Sequence, residues 1–203
     1  GRADPGAPVE VWVHGDGWKN VTADAAGNWT ADFSGMTDIT YLSDGATSQT
    51  DSGGDSTIVW WAGARFQVAP VDDWVQSSSP WTPGATISLI IEDGSGVVYS
   101  DSQIADAAGH FHFGLRDVFD LQRGHIVTVS DGTTTKTHTV ANLYVDGLNV
   151  ASDVVFGRAD PGAPVEVWVH GDGWKNVTAD AAGNWTADFS GMTDITYLSD
   201  GAT

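Results

Sequence analysis

The first 47 residues of the chain return, without one change, as residues 157–203, a spacing of 156. Any fold must therefore accommodate the same text twice. The sequence "GRADPGAPVEVWVHG" opens both copies, at Gly1 and at Gly157. Two readings follow. Either the chain is a window of one and a third repeats from a longer tandem array, or its ends carry a duplication. Old duplications drift, so perfect identity points to a recent or homogenised array, and we favour the array. With no starting Met and no signal-like segment, the chain reads as a mature or excised piece.

A fainter repeat lies inside the long one. "PGAPVEVWVHGDG" at Pro5 matches "PGATISLIIEDG" at Pro83, a spacing of 78. "ADAAGNWTADF" at Ala23 matches "ADAAGHFHFGL" at Ala105, a spacing of 82, so the second version carries a small insertion near "SGVVYSD". Since 78 is half of 156, each long repeat comprises two related modules of about 80 residues, the size of a small sandwich domain.

Apolar residues alternate with period two along most of the chain. "VEVWV" places Val9, Val11 and Val13 on one face, with Glu10 and Trp12 on the other. "NWTADF" groups Trp29, Ala31 and Phe33. "STIVWW", "TISLII", "HFHFGL", "HIVTVS" and "THTVANLYV" are further β-branched and aromatic strand candidates. Asp-Gly and Pro-Gly signals punctuate them. "LRDVFDL" at Leu115–Leu121 is the one helical candidate, and a short turn serves there equally well. The pattern predicts an all-β chain of tandem β-sandwich modules, two per 156-residue repeat.

The string "GRADPGAPVEVWV…VTADAAGNWTADF", with "GGDSTIVWW" and "DLQRGHIVTVSDGTTTKTHTV", resembles the bacterial immunoglobulin-like tandem-repeat domains of large extracellular, Chloroflexi-type surface proteins. The resemblance covers the whole chain. It implies immunoglobulin-like sandwiches in series, an extracellular or cell-surface location, and a structural role.

In that frame a module opens near Asn142, before the Pro-Gly turn, and closes with "STIVWW" near Trp61. The expected modules are residues 1–61, lacking its first strands, 62–140, complete, and 141–203, lacking its last strands. The two terminal modules each miss what the other retains. A sandwich short of a strand leaves unpaired backbone and an open core. Either the same polypeptide continues and fills the gap, or a neighbouring molecule donates Ser56, Thr57, Ile58, Val59, Trp60 and Trp61. The partner in both cases is self, as a continued chain or a head-to-tail homopolymer.

Composition narrows the partners further. With 27 acidic against 8 basic residues and a net charge of −19, the chain is a poor ligand for nucleic acid or for an anionic membrane surface. There is no Cys, so no disulfide staples it. No apolar run approaches the roughly 20 residues that span a bilayer as a helix.

Other candidate sites each have a plainer reading. Asn20 and Asn28, repeated at Asn176 and Asn184, head Asn-x-Thr sequons that would be exposed beside turns, although such triplets arise by chance in Thr-rich strands. Asp51 and Asp55 on "TDSGGDST" would suit calcium, as would Asp16 in "HGDG", although Asp is also a turn former. Trp12 and Trp168 lie on the polar phase of their strands and would stack sugar rings, although aromatic residues also serve packing between modules. His110 and His112 share one strand face, a spacing that could bind a metal, but no Cys or clustered carboxylate completes the site. No Ser-His-Asp order or Glu pair suggests catalysis, so no enzyme is expected. The sequence thus predicts a building block of a surface fibre, sheath or stalk, with a glycan-binding adhesin as the alternative. No cofactor is required, calcium aside.

Overall fold

The computed structural model describes residues 1–15, 17–40, 42–169, 173–192, 195–196 and 201–202. Among them every regular element is a β-strand, and no helix is long and apolar enough to cross a membrane. By internal contacts the chain divides into two compact units. One holds Gly1–Ile91, Val97–Asp120 and Thr128–Thr137; the other holds Glu92–Gly96, Leu121–Val127 and His138–Thr203.

The N-terminal copy forms one antiparallel sheet from β1 (Pro8–Val13), β2 (Gly17–Thr22), β3 (Asp44–Thr50) and β4 (Ser56–Ala62), in the order β2-β1-β3-β4. Alternation does the sorting. Val9, Val11 and Val13 are buried on the inner face with Phe33, while Glu10 lies on the exposed face. Gly15 and Gly17, at φ 82° and 103°, supply the left-handed backbone that closes the β1–β2 hairpin.

The middle stretch supplies β5 (Phe66–Ala69), β6 (Trp74–Ser77), β7 (Thr86–Asp93), β8 (Gly96–Ile104), β9 (His112–Gly114), β10 (Ile126–Ser130) and β11 (Thr135–Thr139). They form the sheets β5-β6-β9 and β11-β10-β7-β8. Seven strands split three against four, with the fifth returning to the sheet of the first two, make a Greek-key sandwich. Its fourth strand pairs with the third; in the constant-type immunoglobulin arrangement the fourth joins the fifth. The inward positions Val75, Ile87, Leu89, Ile91, Val127 and Val129 are fully buried. Trp81 packs edge-on to Phe111 at 5.7 Å and donates its indole N–H to the Arg65 carbonyl at 3.0 Å. The small insertion seen in the sequence lengthens β8 to nine residues, against six in β2.

Leu115–Leu121 forms no helix. Val118 and Phe119 both donate their N–H to the Leu115 carbonyl, and Asp117, at φ 66°, turns the chain out of the helical path after one turn.

The C-terminal part comprises β12 (Tyr144–Asn149), β13 (Val154–Arg158), β14 (Pro164–Val169), β15 (Gly173–Thr178), β16 (Asn184–Asp188) and β17 (Gly201–Ala202). The sheets are β12-β13-β16 and β15-β14-β17. β12 is anchored by arginine. Arg123 donates through Nε and Nη2 to the Leu143 carbonyl, at 3.0 and 2.9 Å, and stacks 3.7 Å above the Tyr144 ring. Arg158 approaches the same ring at 4.8 Å and holds Asp146 with two hydrogen bonds of 2.8 Å.

Trp185, 2 % exposed, sits at the centre of this core, and it fits because residue 157 has no side chain. A Cβ on Gly157 would lie 2.6 Å from the Trp185 ring and would also strike the Tyr144 carbonyl. Gly157→Ala is therefore an overpacking change inside a paired strand. It should destabilise the C-terminal unit by about 1–3 kcal/mol and lower its melting temperature on the order of 10 °C. Thermal unfolding followed by tryptophan fluorescence checks this; an unchanged melt would mean that Trp185 is not seated as described.

Candidate functional site, an uncovered sheet face and a tryptophan row

Identical sequences in two surroundings show what each surrounding supplies. Val9, Val11 and Val13 are as buried as Val165, Val167 and Val169. Further along the copies diverge. Trp29 and Ala31 are half-buried, whereas Trp185 and Ala187 are fully buried. Ile39 is 50 % exposed; its counterpart Ile195 is 1 % exposed.

The cause is one hairpin. In the C-terminal copy β13 pairs with β16 over its whole length, from Val154↔Asp188 to Arg158↔Asn184. Asp153, at the tip between β12 and β13, accepts the Phe189 N–H on its carbonyl at 2.8 Å and the Ile195 N–H on its carboxylate at 2.9 Å. The N-terminal copy keeps only the end of this ladder. Arg2 bridges to Asn28, the Gly1 nitrogen donates to the Trp29 carbonyl, and the Trp29 N–H donates to the Gly1 carbonyl. So "NWTAD", expected as a strand in both copies, is a strand at Asn184–Asp188 and irregular at residues 28–32. Strand formation is decided by the partner, not by the segment.

The uncovered face extends onto β4. The register Thr47↔Val59 and Gln49↔Thr57 puts these four side chains on the same face as Val9 and Val11. They line an opening of about 410 Å³ with Arg2, Ala3 and Asp4 at its rim. Val59 is 59 % exposed although it points to the core side. The rim is ordered by a reciprocal pair: the Asp4 N–H donates to Gln49 Oε1 at 3.1 Å, and Gln49 Nε2 donates to Asp4 Oδ2 at 2.6 Å.

All six candidate strand-exchange residues lie on β4. Ser56, Thr57, Ile58, Val59 and Trp60 are exposed, and Trp61 is half-buried over Gly45, where a Cβ would meet its ring at 2.6 Å. Among the described residues β4 ends its sheet, so one backbone edge of an apolar strand has no strand beside it. β11, which ends the equivalent sheet of the middle stretch, reads Thr-Lys-Thr-His-Thr instead.

On the opposite face the ladder aligns Trp18, Trp12, Ala46 and Trp60 in one row across four strands. Trp18 and Trp60 are 57 % and 72 % exposed. Trp12 and Trp60 meet edge to face, 6.2 Å apart at 86°, beside a recess of about 200 Å³ that also includes Glu10, Ser48 and Ile58. Trp168, paired with Trp174, repeats part of the row in the C-terminal copy. Sequence alternation finds Trp12 and Trp168. Only the register brings Trp18 and Trp60 beside Trp12.

The remaining candidates stay scattered. Asn20, Asn28, Asn176 and Asn184 are all exposed. Asp51 Oδ1 accepts the N–H groups of Gly53 and Asp55, at 2.8 and 3.0 Å, and so shapes the β3–β4 turn. Among the described residues no group of three or more His, Cys, Asp or Glu could hold a metal, and Asp16 lies outside them. His110 meets Ser77 at 3.1 Å and His112 meets Gln76 at 3.3 Å.

No family model and no curated protein matches the sequence. Among solved structures the chain is similar to a tetra-tandem repeat in the extending region of a large adhesion protein. The identity is 18%, the TM-score 0.27, and the match covers 99% of this chain and 67% of that one. It is also similar to a 1.5-MDa bacterial ice-binding adhesin, at 14% identity and a TM-score of 0.23, over 93% of this chain and 76% of that one. Both are adhesion proteins.

The Ala-Asp-x-x-Gly turns carry a pH signature. Asp24, Asp106 and Asp180 each accept two backbone N–H groups, from the residues two and four places on, which holds their carboxyls below the ordinary 3.8. A lowered folded-state value contributes stability that is complete above 3.8 and is lost as pH falls through that lowered value. Acid also relieves the repulsion of a chain at −19, which opposes the loss. Asp106→Asn isolates the turn, since it keeps an acceptor oxygen and loses the titration. Melts from about pH 7 to about pH 2 should fall less steeply below 3.8 for the variant than for the parent.

Proposed function

We propose that the chain is a structural spacer of a bacterial extracellular or cell-surface protein, built from immunoglobulin-like sandwich modules repeated in tandem. The modules are residues 1–61, 62–140 and 141–203. One observation carries this reading. The same 47 residues hold β3 and β4 on one side in the first copy, and β12 and β13 on the other side in the second. Joined at a period of 156, these pieces make the seven-stranded set that β5–β11 already displays. Each repeat then adds length, with its stability coming from sandwich cores and neighbour contacts, as in other linear repeats. The strand that completes a terminal module comes from the continuing chain or, by donation of residues 48–61, from a neighbour.

Electron microscopy of the protein tests the spacer reading. Ordered filaments or extended rods with an axial repeat of one or two modules are expected. Compact particles with no axial repeat would overturn it.

The tryptophan row favours a second reading, adhesion to glycans. Trp12, Trp18 and Trp60 present apolar rings beside Glu10 and Ser48, which can hydrogen-bond sugar hydroxyls. A glycan array with the parent and with the double variant Trp12→Ala, Trp168→Ala checks it. Binding abolished by the pair supports adhesion; an empty array leaves the spacer role alone.

A further inference from the structure

We propose that the recess beside Trp12 and Trp60 binds a small trimethylammonium cation such as choline, held by the two indoles and the Glu10 carboxylate. The proposal shares the tryptophan row with the adhesive reading and goes beyond it in the ligand and in the residues that select it. The site is built from two adjacent rows of one sheet face, Trp12–Ala46–Trp60 and Glu10–Ser48–Ile58. It opens on the side of the sheet away from Val9 and Val11. The strands that carry it, β1, β3 and β4, are paired within residues 8–62, so the site owes nothing to either end of the sequence.

Shape, charge and size select the ligand. The rings of Trp12 and Trp60 stand at 86°, with centroids 6.2 Å apart. The inner angle of such a pair offers a face of each ring to a rounded group, where a flat sugar ring needs one level platform. A trimethylammonium group has that rounded shape, and its charge is attracted to the indole faces. Glu10 lies two positions from Trp12 on the same strand face and forms no ion pair among the described residues. With the chain at −19, a net cation is drawn in; betaine and phosphocholine carry an anion on the same molecule and are disfavoured. A recess of about 200 Å³ is smaller than the roughly 300 Å³ at which drug-sized ligands begin to fit, and suits a single headgroup. The fold itself does not require these residues. Counted from the matched Pro-Gly turns, Ser88 and Ile90 of β7 replace Glu10 and Trp12, while Ile87, Leu89 and Ile91 still fill the core.

The test is a titration of the whole chain with choline chloride, followed through the indole N–H signals in NMR spectra. Saturable shifts are expected at Trp12 and Trp60, assigned by their loss in Trp12→Phe and Trp60→Phe. Betaine, phosphocholine and the neutral analogue with carbon in place of nitrogen should each bind at least about tenfold more weakly. These ligands are compared on the unaltered chain, so the result does not depend on how a variant folds. Glu10→Gln, at an exposed position, should also weaken choline by about tenfold. Glu92→Gln removes the same charge from β7 and should leave choline binding unchanged. No saturable shift, equal binding of the neutral analogue, or full affinity in Glu10→Gln would each overturn the proposal. So would shifts that follow the concentration of the chain instead of choline, which would mark the face as a contact between copies. Glycan binding lost with Trp12 but no choline binding would sink this inference and leave the adhesive reading standing. Choline binding beside an empty glycan array would do the reverse.

Discussion

The pairing of β13 with β16 is the interaction on which the rest of the module depends. A β-strand cannot satisfy its own backbone, so Asn184–Asp188 is a strand because Val154–Arg158 supplies the other half of its hydrogen bonds. Once that ladder forms, Trp185 is seated over Gly157, Ala187 and Phe189 turn inward, and Asp153 fixes the backbone that buries Ile195. Without it, the same residues form a looser arrangement in which Ile39 is half exposed. Covering Ile39 alone would recover about 1 kcal/mol, roughly half the value of burying an isoleucine from full exposure. Trp29 and the open side of β4 add to that.

Sequence alternation was enough to place the valines of β1 and β14 inside and Trp12 outside, because a period of two is a local property. It also located β4, β7 and β10. It could not distinguish residues 28–32 from 184–188, since no local signal can separate identical texts. The tryptophan row was hidden for a related reason: Trp18 and Trp60 reach Trp12 through strand register, a long-range property. The turn around Asp51 was half legible. The residues Asp51, Gly53 and Asp55 were visible and suited turn formation first and calcium second, and the structure shows one oxygen of Asp51 engaged by two backbone N–H groups.

The contrast between β4 and β11 bears on how such a chain avoids random association. Among the described residues both end a four-stranded sheet. β11 carries Lys136 and threonines, the usual way to blunt an edge. β4 carries Ile58, Val59, Trp60 and Trp61, apolar and uncharged, the composition that adds strands most readily. A strand of that kind is tolerable where something covers it in the assembled protein. A net charge of −19 disfavours non-specific association between chains.

Two routes could complete a junction between copies, and they compete. Donation of β4 would leave β2-β1-β3 paired in the donor's first copy; transfer of the β12–β13 hairpin would leave β16 of the donor's last copy without its ladder. The two routes therefore sacrifice different pairings, β3 with β4 in one and β13 with β16 in the other. A continuous array at a period of 156 has no such sacrifice at all, since every copy then has both flanking pieces in cis.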